Sequence, residues 1–127
     1  MKLRIKGNSV RLRLTQSEVQ QLATEGKVTE ILKFGPTAFR QLNYTVQKSD
    51  STFIGASYNL NEITVMLPTS IADDWVHSDK ISLEQTINAE GEEILILIEK
   101  DFKCLKARPN EEERDMYPHP AEGTLAC

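Results

Sequence analysis

Val10 to Ile31 reads VRLRLTQSEVQQLATEGKVTEI, and Ile63 to Glu84 reads ITVMLPTSIADDWVHSDKISLE. Laid over one another without a gap, the two stretches place Leu12 on Val65, Leu14 on Leu67, Ser17 on Ser70, Leu22 on Trp75, and Lys27-Val28 on Lys80-Ile81. All share one offset of 53 residues (67 − 14). A fixed offset is the mark of a repeated structural unit, and it governs every later step of the reading.

Working outward from the first stretch, Val10 to Leu14 and Lys2 to Lys6 both alternate apolar and charged residues, the period of a half-buried strand. Gly7-Asn8-Ser9 supplies turn chemistry between them. Keeping Leu3 and Ile5 on the face of Leu12 and Leu14 sets Leu3 opposite Leu14, Ile5 opposite Leu12, Lys6 opposite Arg11 and Arg4 opposite Arg13. Thr15 with Glu18 forms a capping box, and Leu14 with Val19 a hydrophobic staple, so a helix starts here and stops at Gly26. Lys27 to Phe34 and Phe39 to Lys48 are strands around a Gly35-Pro36 turn.

The second stretch has the same order. Thr52 to Tyr58 and Glu62 to Leu67 form a hairpin, Pro68 closes the strand, and Thr69 or Ser70 caps a short helix carrying Asp73, Asp74 and His77. Ile81 to Ile87 and Glu93 to Phe102 complete it, joined by a turn containing Asn88 and Gly91. The sequence therefore predicts an α+β fold: a duplicated ββαββ unit forming an eight-stranded, mainly antiparallel sheet or barrel with two helices. Residues 1–103 form the domain, with pseudo-repeats 2–48 and 55–101, and residues 104–127 an irregular tail.

Composition agrees with one globular domain. The chain has 127 residues, 39% hydrophobic and 27% charged, a size that supports one core. Its longest apolar run, Ile94 to Ile98, is too short to span a bilayer, and the opening residues lack a signal peptide's apolar region. Cys104 and Cys127 have no framework spacing. The expected setting is the cytoplasm. The net charge of −4 hides a polarity: residues 1 to 63 carry nine Lys/Arg and five Asp/Glu, and residues 64 to 127 six and fourteen. Nucleic acid is disfavoured as a partner by that balance.

The opening MKLRIKGNSVRLRL, the EKDFKCL stretch at Glu99 to Leu105 and the acidic segment before Tyr117-Pro118 resemble a family of small uncharacterised bacterial proteins, a domain of unknown function. The resemblance implies no activity, cofactor or partner. A looser likeness is one of plan: a doubled unit of one helix and four strands is similar, after circular permutation, to the triphosphate tunnel metalloenzymes, whose barrel is lined with cations for phosphate and acids for a metal. Their E-x-E-x-K pattern is absent here, and likeness of fold does not carry function.

Lys2, Arg4, Lys6, Arg11 and Arg13 are the sharpest chemical feature, because no acid precedes Glu18. They are candidate anion-binding residues, the alternatives being a solvated face or one matched by acids such as Glu84 and Glu99. Cys104, His119, Cys127 and His77 lack the close spacing of a zinc site, and no base is evident for Cys104 as a nucleophile. Asp73 with Asp74 are more simply explained by the helix dipole, and Glu84 with Glu99 by cross-strand contact with cations, than as acid/base pairs, and Trp75 is a core residue. No catalytic residue, metal or cofactor is assigned. Since Ile94 to Ile98 is apolar on both faces, something covers the second face: Phe102, Leu105 and Tyr117 wrapping back, or a partner. The leading expectation is a cytoplasmic binding or accessory domain without catalytic activity, self-associating or docking a protein partner through the last strand and tail. The other is a phosphate-recognising protein or phosphoanhydride hydrolase using the basic hairpin.

Overall fold

The computed structural model describes residues 1–102, Asp115, Tyr117 and Pro118. Its elements are β1 (Lys2–Lys6), β2 (Ser9–Leu14), α1 (Gln16–Glu25), β3 (Lys27–Lys33) and β4 (Gln41–Ser49). They are followed by β5 (Gly55–Asn59), β6 (Glu62–Pro68), α2 (Thr69–His77), β7 (Ser82–Ala89) and β8 (Glu92–Lys100). The order strand, strand, helix, strand, strand thus occurs twice.

Local chemistry explains the helix ends. Glu18 accepts the Thr15 N–H at 3.0 Å in a capping box, and Gly26, at φ +79°, donates its N–H to the Leu22 carbonyl. Both groups would otherwise be orphans at helix termini. The second helix starts earlier than a Thr69 or Ser70 cap would allow. Pro68 is its cap, and the Thr69 hydroxyl instead donates to the Ser49 carbonyl at 3.1 Å.

The strands form two mixed four-stranded sheets, β1-β2-β8-β7 (sheet A) and β3-β4-β6-β5 (sheet B). One eight-stranded sheet or closed barrel is not what the chain builds. Each helix carries the chain from one sheet to the other, so the β1–β2 hairpin joins β7–β8 rather than β3–β4. The joining pairs, β2 with β8 and β4 with β6, are parallel, and the other four are antiparallel. Parallel neighbours need a long crossover, and here the intervening chain supplies it.

The first hairpin corrects the expected register. Leu3 lies opposite Leu12, Arg4 opposite Arg11 and Lys2 opposite Arg13, two residues from the sequence reading. Alternation fixes the face but not which same-face register is used; the turn decides that. Gly7, at φ +54°, makes a two-residue turn with Asn8, which forces Lys6 opposite Ser9.

A single offset also fails past the second helix. Val28 pairs with Val46, and Leu83, not Ile81, takes the corresponding place opposite Ile98. Ile81 lies ahead of β7 and is part of a longer connection from α2.

The core is the inner faces of both sheets closed by the helices: Leu12, Leu14, Val46, Val65, Leu67, Ile96 and Ile98 with Val19, Leu22, Ala72 and Trp75, all buried. Leu22 and Trp75 are each fully buried, as their shared place in the repeat requires. Along one flank the Met1 ammonium is held by Glu18 and Glu30, and the Tyr44 hydroxyl donates to the Met1 carbonyl at 3.2 Å. Burial first, then the charges of Glu30 and Glu18, raises the Tyr44 pKa above the usual phenol value. β2 and β6 run into α1 and α2, which pack together, so the helices plug one end and all four hairpin connections gather at the other.

The outer face of β8 carries Leu95 and Leu97, half-buried beside β2. Tyr117 does not cover them. It bridges Phe102 at the helix end, edge to face at 5.5 Å, and packs against the core there. Leu105 lies outside the described residues, as do Cys104, His119 and Cys127.

Candidate functional site

The alternating pattern that buries Leu12 and Leu14 turns Lys2, Arg4, Lys6, Arg11 and Arg13 to the outer face of sheet A. The structure brings all five together, with Arg4 opposite Arg11 and Lys2 opposite Arg13. Like charges placed so repel by roughly 0.2–1 kcal/mol per pair unless something offsets them. At the helix end something does. Glu99 on β8 puts Oε1 2.5 Å from Arg13 Nε and 3.5 Å from Arg11 Nε, and Lys2 Nζ lies 3.1 Å from Asp101 Oδ2. Arg4 and Lys6, nearer the hairpin tip, have no acidic partner among the described residues. With Arg11 they flank a shallow groove of about 220 Å³ floored by Leu95 and Leu97.

The other acidic candidates are ordinary ion pairs or stand apart. Asp73 lies 2.6 Å from Lys48 and Asp74 3.5 Å from Lys80. Glu99 meets cations across β2–β8, as expected of a cross-strand partner, whereas Glu84 sits opposite Leu97 and has no ion pair among the described residues. The His77 ring, through Nδ1, is 2.9 Å from the Asp73 carbonyl. Among the described residues no three His, Cys, Asp or Glu side chains gather as a metal site.

The tip end holds what the sequence reading missed. Between the sheets, on the far side of the core from the helices, opens a cleft of about 720 Å³. Ile5, Val10, Ala56, Tyr58, Ile63 and Ile94 line it, with Asn8, Ser9, Ser57 and Glu90 as its polar lining groups. Around the same end stand large exposed apolar side chains: Phe34 and Phe39 on the β3–β4 loop, Leu60 on the β5–β6 turn, and Tyr58, Ile5 and Leu32 on the strands leading there. Phe39 is 89% exposed and Leu60 90%. The sequence predicts that Phe34 ends one strand and Phe39 begins the next; instead Phe39 lies in a short 3₁₀ turn, Ala38–Arg40, and the loop spans residues 34 to 40. A signal was there: two phenylalanines flank Gly35-Pro36, and Leu60 sits between two asparagines in a turn, both poor places to hide an apolar side chain.

Inner strand positions that would be core in a closed sandwich here line an open space. The lining of this space is chemically suited to apolar groups. It has one carboxylate, Glu90, and no base beside it in the lining. No helix of the described residues is long and apolar enough to cross a membrane. The chain belongs to a family of unknown function (DUF7009), whose family model matches residues 1–121. No curated protein and no solved structure matches it.

Proposed function

We propose that this protein is a non-catalytic binding module whose working site is the cleft between the sheets at the tip end. The observation that carries the reading is an apolar cleft of about 720 Å³ with exposed aromatic and aliphatic side chains gathered at its mouth. Clusters of exposed apolar surface of this kind mark interaction sites, and the volume falls within the roughly 300–1,000 Å³ of sites that take small guests or side chains. The cleft's lining, mostly apolar with Asn8, Ser9, Ser57 and Glu90 as its polar groups, is of the kind that supports binding of an apolar guest. Two cysteines without framework spacing support a reducing, cytoplasmic setting. Parallel registers support descent from a duplicated ββαββ unit: Leu12 with Ile98 and Leu14 with Lys100 in one sheet, Val65 with Val46 and Leu67 with Lys48 in the other.

Saturable fluorescence enhancement of an anilinonaphthalene sulfonate probe by the protein diluted until it is monomeric, so that no second copy can occupy the cleft, tests this. Ala56→Trp, which fills the cleft, should abolish the enhancement while the far-ultraviolet circular dichroism stays unchanged. No enhancement, or the same enhancement in the filled variant, would sink the reading.

One observation favours a second reading, in which the basic face recognises a phosphate-like anion. Arg4 and Lys6 stay open while Lys2, Arg11 and Arg13 are matched by acids, so the open part of the face would be Arg4 and Lys6 assisted by Arg11. Added phosphate should then raise the melting temperature of the native protein and leave Arg4→Ala unmoved.

A further inference from the structure

We infer that the guest of the cleft is the β3–β4 loop of a second copy of this chain, in a two-fold dimer joined tip end to tip end. The inference rests on the cleft being a binding site, and it names the occupant.

The β3–β4 loop is the projecting feature of this end. It spans seven residues, 34 to 40, where each of the other three hairpins turns in two. It is also braced: the Phe34 N–H donates to the Arg40 carbonyl at 2.7 Å, the Arg40 N–H donates to the Thr37 carbonyl at 2.9 Å, and Pro36 stiffens the bend. Phe34 and Phe39, 77% and 89% exposed, are therefore presented as pre-ordered apolar knobs. Pre-ordering lowers the cost of binding.

Charge selects the partner. No acid occurs between Glu30 and Asp50, so Lys33 and Arg40 make this loop a basic tip, and among the described residues neither has an ion pair. The β7–β8 turn is the reverse. No cation occurs between Lys80 and Lys100, and Glu90, Glu92 and Glu93 stand exposed there. One end thus carries a basic aromatic knob in sheet B, an apolar hole, and an acidic tip in sheet A. In an isologous pair the same patch meets itself turned about, so each knob enters the other copy's hole and each basic loop meets the other's acidic tip. An anionic membrane would be repelled by the glutamates, and a small apolar molecule would leave both phenylalanines in water.

Charge exchange tests the arrangement. Sedimentation of the native protein should give a species of twice the 14.4 kDa monomer mass. Lys33→Glu with Arg40→Glu, and separately Glu92→Lys with Glu93→Lys, place like charges at both contacts and should each weaken dimerisation roughly ten-fold or more. An equimolar mixture of the two variants should restore a dimer, because every contact is again between opposite charges. Restoration separates the proposal from general damage to the fold. A native protein that sediments as a monomer across the micromolar range overturns it, as does a mixture that stays monomeric. If the probe still binds the cleft in that event, the binding reading stands and only the occupant is wrong; if the probe fails too, both fall.

Discussion

Glu99 stands beside Arg13 across the parallel β2–β8 pair, its Oε1 2.5 Å from Arg13 Nε and 3.5 Å from Arg11 Nε. One carboxylate from the last strand thus serves two cations of the first hairpin, and it is mostly buried while they are about one-third exposed. Glu99→Gln keeps the volume and removes the charge. The expected loss is about 1–2 kcal/mol, the scale of a charged hydrogen bond reduced by the exposure of the arginines. Urea denaturation at low salt measures it, and the deficit should shrink as salt is added. A midpoint equal to the native one would mean that the face is simply solvated.

Leu60 occupies the first position of the β5–β6 turn at φ +50°, followed by Asn61 at φ +62°. Left-handed backbone suits Asn or Gly and costs a γ-branched residue of this kind roughly 1 kcal/mol. With 90% of its surface exposed, Leu60 contributes almost no packing in return. Leu60→Asn should therefore stabilise the monomer by about 0.5–1 kcal/mol, read as a higher melting temperature in dilute solution. A lower melting temperature there would show that the side chain packs within its own copy.

Element order was legible in the sequence because periodicity and caps are local. Thr15, Glu18 and Gly26 mark one helix by chemistry within a few residues, and Leu12, Leu14, Leu22 and Trp75 declare the core by spacing alone. Sheet partnership was not legible. Whether β2 lies beside β3 or β8 depends on where each helix delivers the chain, which alternation does not encode. The two-residue error of the first hairpin has the same root, since Arg4 faces outward in either register and only the φ of Gly7 separates them. Of the candidate sites, the basic face followed from alternation in Lys2 to Arg13. The cleft did not, because Ala56, Ile63 and Ile94 carry the same apolar pattern whether they fill a core or line an opening.

Trp75 is fully buried, donates from Nε1 to the Ile81 carbonyl at 3.1 Å, and lies under Lys100 Nζ at 5.6 Å from its ring. Trp75→Phe removes one of two donors to that carbonyl, which keeps the Lys100 N–H at 3.0 Å, and opens a small void. A loss of about 1–3 kcal/mol is expected. Trp75→Ala should cost about 3–5 kcal/mol. Chemical denaturation followed by circular dichroism compares the two, and near-equal losses would mean that the indole volume does not matter at this site.

Asp115 reaches back to the start of α1, where its Oδ1 accepts the Ser17 N–H at 3.0 Å and its Oδ2 the Ser17 hydroxyl, while its own carbonyl accepts the Gln16 N–H at 2.8 Å. It satisfies donors that the helix leaves unpaired and sets a negative charge at the positive end of the helix dipole. The Ser17 hydroxyl bond, ahead of the lesser contributions of Thr15, the Ser17 backbone and the N-terminal charge, holds its carboxyl below the usual range. Folding therefore favours the ionised form. For a depressed carboxylate the unfolded chain binds the proton more readily, so the stabilisation is fully present above the unfolded value of about 3.9 and is lost as pH falls through the lower folded value. Asp115→Ala should lose about 0.5–1 kcal/mol near neutrality, the scale of a lost cap at an exposed site. The gap between native and variant stability should then narrow as the pH is lowered below about 3.9. A gap that stays constant across that range would show that the ionisation of the Asp115 carboxyl does not contribute to holding the helix.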